Sequence, residues 1–226
     1  MGNCASNCLQ VLADEVIEPY LKPRHSNTES SSPKSIIHKA LPSMYEVHRV
    51  IKVYDGDTLT LEDKKRVRLL GIDTPEIKPK QPYTYAEDAK ELLANYCLDQ
   101  SVYFSYEGDK TDRYGRILAW VWVKRDGGYL NINEEQVASG FATIYNPGKI
   151  AFKNQNQLFA YQKSAREKRY GQFAEFTNSK VLKTKNGRCY HRDKSCTYLT
   201  KSKHLIPILK SDALDKGLSP CRGCYL

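Results

Sequence analysis

From Tyr45 onward the chain alternates apolar and polar positions in short runs. Val47, Val50, Ile51 and Val53 predict a strand that closes at Tyr54, Asp55-Gly56 turns the chain, Thr58 to Leu61 predicts a second strand, and Asp63-Lys64 turns it again into Arg66 to Leu70. Two later strands are expected at Val102 to Tyr106 and Ile117 to Lys124. Elsewhere the period lengthens to that of a helix: Ala86, Ala89, Leu92, Leu93 and Tyr96 fall on one face, as do Leu158, Tyr161, Ala165 and Lys168. Five short strands with interleaved helices fit an α+β domain built on a small closed barrel. Ahead of it, Leu9, Leu12, Val16 and Ile17 have the spacing of a short amphipathic helix, and Lys22 to Ser35 is a polar stretch with too little apolar surface for a core.

Charge divides the chain in the same places. Residues 1–44 are neutral, residues 45–177 carry a net +1, and residues 178–226 carry +8 of the total of +9. The expected organisation is therefore a tail and linker (1–44), a nearly neutral domain (45–177) and a basic module (178–226), the last suited to a polyanion, either nucleic acid or anionic lipid. No run approaches the roughly 18 apolar residues of a membrane span, and the N-terminus lacks the basic start and apolar stretch of a secretory signal. The expected location of the body of the protein is the cytosol. The seven cysteines cluster at the two ends, with Cys97 between. An odd count without a signal peptide favours metal ligation or modification over a disulfide framework.

Met1-Gly2-Asn3-Cys4-Ala5-Ser6 fits the N-myristoylation pattern, with Gly2 as acceptor once Met1 is removed. One such chain binds a membrane only marginally, so Cys4, with Cys8 as a further candidate, is the expected palmitate site. The expectation is a protein lipid-anchored on the cytoplasmic face of the cell membrane.

The densest chemistry lies in three blocks: Asp55-Gly-Asp57-Thr58, Arg68-Leu-Leu-Gly-Ile-Asp73-Thr74-Pro75-Glu76 and Asp112-Arg-Tyr-Gly-Arg116. Hard carboxylate oxygens without a neighbouring His or Cys suit Ca²⁺ or Mg²⁺, and paired arginines suit a phosphate gaining charge in its transition state. In this order the blocks resemble the staphylococcal nuclease (thermonuclease) family, over about residues 50–171. The resemblance implies a five-stranded OB-fold barrel and a Ca²⁺-dependent nuclease that leaves 3′-phosphates on single-stranded DNA and RNA. It implies that Asp57, Asp73 and the Thr74 carbonyl ligate Ca²⁺, with Asp55 close by. It also implies that Glu76 serves the attacking water and that Arg68 and Arg116 clamp the scissile phosphate. Arg113, Tyr114 and Tyr145 match positions that touch the nucleotide, although in a chain with 16 tyrosines simple packing competes with base stacking. A catalytically inactive nucleic-acid-binding or interaction module is the alternative; it would be expected to have lost one of the acids or arginines, all of which are present here. A monomer is expected.

Cys189-x-His191-x4-Cys196 and Cys221-x2-Cys224 offer five soft ligands for a four-coordinate ion. Zn²⁺ is the natural reading, held by His191, Cys196, Cys221 and Cys224, with Cys189 as the spare that could displace His191. About 49 residues are few for an independent core, so the metal is expected to supply folding energy that packing cannot.

Overall fold

Short strands rich in Val, Leu and Ile, broken by Asp-Gly and Asp-Lys turns, curl when each must bury one face against the same core. The computed structural model of the protein describes residues 35–77, 85–146 and 152–225. In chain order its elements are β1 (Ile37–His38), β2 (Glu46–Val53), β3 (Thr58–Leu61), β4 (Arg66–Leu69), β5 (Ile72–Asp73), α1 (Tyr85–Cys97), β6 (Ser101–Ser105), β7 (Ile117–Arg125) and β8 (Gly128–Asn131). They continue with α2 (Ile132–Ala138), β9 (Thr143–Ile144), α3 (Gln155–Glu167), β10 (Lys180–Thr184), β11 (Cys189–Tyr190), β12 (Leu205–Leu209), α4 (Lys210–Asp215), β13 (Ser219–Pro220) and α5 (Arg222–Tyr225).

Strands β2, β3, β4, β7 and β6 pair in that order, and β6 pairs back onto β2, which closes a five-stranded barrel of the OB type. The register of β2 against β3 shifts between Val50 and Lys52, a bulge that lets one long strand bend around the closure. Val50, Leu59, Val67, Val102, Phe104 and Val121 fill the interior and are fully buried. The five barrel strands and the helices α1 and α3 lie where the hydrophobic pattern places them, with ends moved by a residue. Leu70 and Tyr106 fall just outside their strands, and Lys168 caps α3.

Helix α2 has no apolar periodicity to reveal it. Asn131 caps it by accepting from the Glu134 amide at 3.1 Å. Its polar side chains point inward, with Asn133, Glu134, Glu135 and Gln136 all buried. They are braces. Asn133 accepts from the Val121 amide at 2.9 Å and donates to the Leu70 and Ala119 carbonyls at 2.9 and 3.2 Å, locking β7 to the end of β4.

The C-terminal segment packs on α3. Ala165, Tyr170 and Phe173 share a buried cluster with Val181, Tyr190, Ala213 and Leu214. Buried Gln162 accepts from the Ile144 amide at 2.9 Å and donates to the Leu214 carbonyl at 3.2 Å, while Arg166 forks onto both carboxylate oxygens of Asp215 at 2.8 and 3.0 Å. The small module thus has apolar support from the barrel domain in addition to its Cys/His cluster. The candidate lipidation positions Gly2 and Cys4, and the 9–21 helix, lie outside the described residues. Among the described helices none is long and apolar enough to cross a membrane.

Candidate active site and metal centre

Strand parity decides which side chains meet outside the barrel. In β4, Val67 and Leu69 point into the core, which turns Arg68 outward; β7 runs parallel to β4 with Arg68 opposite Leu118. Arg116, two residues before Leu118, has the same parity and so emerges on the same face. β5 follows β4 at once and, pinned to β9 by Ile72↔Ile144 and Asp73↔Thr143, brings Asp73 and Thr74 over that face. The β2–β3 turn supplies Asp55 and Asp57. Together they line a cleft of about 600 Å³ that also holds Glu76, Tyr114 and Tyr145.

Asp57 is the hub. Its Oδ2 accepts from the Thr74 amide at 2.9 Å and the Thr74 hydroxyl at 3.1 Å and meets Arg68 Nη1 at 3.0 Å, and its Oδ1 accepts from the Thr58 hydroxyl at 3.0 Å. Arg68 places its other nitrogen, Nη2, 2.7 Å from Asp73 Oδ1 and gives a further bond to the Leu69 carbonyl at 3.1 Å. One guanidinium therefore spans both carboxylates, which fixes them side by side. Its own orientation is fixed in return.

The turn carrying Asp57 is set from behind by two devices. Gly56 has no room for a side chain: a Cβ there would sit 2.4 Å from the Ala89 Cβ and 2.9 Å from the Thr74 side chain. From α2, buried Gln136 donates to the Gly56 and Ala89 carbonyls, each at 2.7 Å, tying the turn to α1. Sequence reasoning did not find Gln136, since a lone glutamine in Asn-Glu-Glu-Gln reads as solvated surface.

Burial, with Asp57 as a like-charged neighbour, raises the Asp55 carboxyl to about 6. Burial also raises Asp73 to about 6, against the pull of Arg68 and Arg222. Crowded carboxylates that resist ionisation suit a bound cation. The donor chemistry fits Ca²⁺: Asp57, Asp73 and the Thr74 carbonyl offer hard oxygens, and no described residue lining the cleft is His or Cys.

Arg116 is aimed by Asp112, which accepts from its Nε and pairs with its Nη2, both at 2.8 Å, and which also accepts from the Arg116 amide at 3.0 Å. Burial would raise the Asp112 carboxyl, but these bonds from Arg116 and one from the Tyr114 amide hold it below its ordinary value. The Asp112 block is legible in the sequence, but this aiming role is visible only in the fold. Arg113 donates to the Tyr114 hydroxyl at 2.8 Å and lies over its ring, leaving both exposed at the rim. Glu76 is exposed on the extended step after Pro75 and forms no hydrogen bond or ion pair among the described residues.

This geometry agrees with what the chain is similar to. Residues 66–175 match the family model described as staphylococcal nuclease homologue. The thermonuclease of Staphylococcus hyicus is 32% identical over 129 residues, which covers 54% of this chain and 72% of that protein. The chain belongs to the staphylococcal nuclease family. Other relatives include an uncharacterized endonuclease of Escherichia coli, 31% identical over 134 residues (58% of this chain, 79% of the relative). An uncharacterized protein of Methanocaldococcus jannaschii is 32% identical over 146 residues (54% and 69%). The family model ends at residue 175, so the Cys/His module lies beyond it.

In that module β11 pairs in parallel with β13, Tyr190 opposite Pro220, which carries His191 alongside Cys221. The candidate ligand atoms of His191, Cys196, Cys221 and Cys224 all lie within 4.8 Å of one another. His191 Nδ1 is 3.4 Å from Cys196 Sγ and 3.8 Å from Cys224 Sγ, and the Cys196 and Cys221 sulfurs are 3.8 Å apart. A tetrahedral ion with bonds of about 2.3 Å to sulfur has S–S edges of about 3.8 Å. The four residues can therefore hold a metal ion, and the cysteines are free rather than bridged. Cys189 stands outside this group and packs against it. Burial lowers the His191 pKa, favouring the neutral imidazole that ligates.

Proposed function

We propose that this family member is a Ca²⁺-dependent nuclease that hydrolyses single-stranded DNA and RNA, leaves 3′-phosphates, and is held at the cytoplasmic face of a membrane by acyl groups on Gly2 and Cys4. The observation that carries the activity is the convergence of Arg68, Arg116, Glu76, Asp57 and Asp73 on one cleft. Asp57, Asp73 and the Thr74 carbonyl would hold Ca²⁺, which when bound supplies charge neutralisation at a phosphate oxygen. Glu76, with no hydrogen bond or ion pair among the described residues, accepts a hydrogen bond from the attacking water and orients it in line. Arg68, already clamped by two carboxylates, presents its remaining N–H donors to a non-bridging oxygen. Arg116, aimed by Asp112, stabilises the charge gathering on the phosphate and the leaving 5′ oxygen. Arg113, Tyr114 and Tyr145 flank the nucleotide at the rim.

The second ion is read as Zn²⁺ on His191, Cys196, Cys221 and Cys224, a structural role consistent with an all-nitrogen-and-sulfur ligand set that leaves no open position. The membrane reading rests on the N-terminal sequence alone.

The test is cleavage of labelled single-stranded DNA by the purified protein in Ca²⁺, in EGTA, and by a Glu76→Gln variant. The expected result is calcium-dependent cutting that the variant loses by about a hundredfold or more, in line with general-base contributions, while its melting temperature is unchanged because Glu76 is exposed. Binding of the strand without cutting would replace the nuclease by an interaction module.

A further inference from the structure

Arg222 lies between two of the four Cys/His ligands, in Cys221-Arg222-Gly223-Cys224, yet its side chain lines the cleft of the barrel. It is the one described residue of the C-terminal module to do so. Two sets of contacts put it there. The Arg166–Asp215 fork and the Gln162–Leu214 bond dock the module on α3, next to the β5–β9 ribbon that presents Asp73. The knuckle itself is tight: Cys224 and Tyr225 both donate backbone bonds to the Cys221 carbonyl, at 2.9 and 3.1 Å. A Cβ on Gly223 would come within 2.6 Å of the Tyr198 ring, so Tyr198 presses directly on the turn that carries Arg222.

The guanidinium is exposed and makes no hydrogen bond or ion pair among the described residues. Of the other four cleft arginines, Arg68 and Arg116 are committed in part to Asp57, Asp73 and Asp112, Arg113 donates to the Tyr114 hydroxyl, and Arg66 lies over the Tyr54 ring. Arg222 keeps its whole donor fork, in a cleft whose remaining cations already suit phosphate. A single helical turn such as α5 has no stability of its own, and a ligand on each side of Arg222 is what would fix its direction.

We propose that Arg222 is a substrate-binding residue that holds a phosphate next to the scissile one, and that metal in the Cys/His site aims it, so that occupancy of that site sets affinity for single-stranded nucleic acid. The proposal rests on the nuclease reading for the identity of the ligand. It makes the basic module a part of the substrate cleft.

The experiment measures binding of a fluorescein-labelled single-stranded DNA by anisotropy across a salt series. It uses full-length protein carrying Glu76→Gln to stop turnover, alone and combined with Arg222→Ala or Arg222→Lys. Arg222→Ala is expected to weaken binding about tenfold and to lower the slope of log affinity against log salt by about 0.7, the loss of one phosphate contact on a single strand. Arg222→Lys should keep the slope and recover part of the affinity, which a purely structural arginine would not do. In the cleavage assay, with Glu76 intact, Arg222→Ala should raise KM by a similar factor with a smaller change in kcat. Stripping the module with a zinc-selective chelator should cost the Arg222 protein about the same factor and the Arg222→Ala protein little more; equal losses in both would overturn the metal coupling. Unchanged affinity and slope in Arg222→Ala would overturn the contact itself. Arg222-dependent binding without cleavage by the Glu76 protein would retire the nuclease reading and leave Arg222 in place, whereas cleavage indifferent to Arg222 would do the reverse.

Discussion

Replacing Gln136 by Met separates the hydrogen bonds that brace the turn carrying Asp57 from the volume that fills the space behind it. Gln136 is fully buried and its Nε2 donates to the Gly56 and Ala89 carbonyls at 2.7 Å each. Met has nearly the same volume, so the cavity cost is small. Two donors vanish, and the Gly56 carbonyl is left without this partner. A buried carbonyl stranded in this way costs about 1–3 kcal/mol, and the Ala89 carbonyl, inside α1, loses less. One gain offsets part of this, because Gln136 Oε1 has no hydrogen-bond partner among the described residues and its removal costs nothing. The net expectation is a loss of about 2 kcal/mol, or a fall in Tm of about 4–8 °C for a domain of this size. The functional effect should be larger than the global one. Gly56 precedes Asp57, and a displacement of the carboxylate by a fraction of an ångström loosens the whole Thr74–Asp57–Arg68 set, so kcat/KM at limiting Ca²⁺ should fall about tenfold or more. Urea unfolding followed by tryptophan fluorescence and a calcium titration of cleavage would measure the two effects. Stability within about 0.5 kcal/mol of the parent protein together with an unchanged calcium requirement would refute the bracing argument.

Two further predictions concern the ions. Asp55 and Asp73 are raised from 3.8 to about 6, so in the calcium-free protein they bind protons that the unfolded chain has already released; the stability they contribute is present below about 4 and is lost as pH rises through 6. Ca²⁺ should therefore raise Tm strongly at pH 7 and hardly at pH 5, with its affinity falling at least about tenfold per pH unit below 6; thermal unfolding at several pH values with and without Ca²⁺ tests this, and a calcium effect independent of pH would contradict it. Cys221→Ser should lower bound zinc from one equivalent, read by elemental analysis, and destabilise the protein by about 3 kcal/mol or more, since the ligand set contributes folding energy; full metal content and stability in that variant would exclude Cys221 as a ligand.

The barrel strands were legible because their information is local. Val and Leu positions in residues 46–69, cut by Asp-Gly and Asp-Lys turns, mark three successive strands, whereas the OB-type closure through β7 and β6 was implied by the family resemblance and not by the periodicity. The Asp, Arg and Glu blocks, and the Cys/His spacing, announced their chemistry through residue type. Helix α2 was not legible. Its inward face is Asn133, Glu134, Glu135 and Gln136, and polar side chains declare themselves as core only when the carbonyls they must satisfy are already in place. The aiming of Arg116 by Asp112 is intermediate, close in sequence but dependent on a turn geometry that residue identity does not specify.

The sequence by itself determined the strands' raw material, the spacing of the carboxylates and of the Cys/His side chains, and the concentration of positive charge in the last 49 residues, because each of these depends on which residues are present and how far apart they stand. Tertiary structure alone decided that Arg68 bridges Asp57 and Asp73, that Gln136 sets the Asp57 turn from 80 residues away, and that Arg222 reaches the barrel's cleft. Gln136 and Arg222 reach partners distant along the chain, and even Arg68, five residues from Asp73, meets both carboxylates only once β4, β5 and the β2–β3 turn are folded together; a local pattern holds no record of which partner will lie opposite.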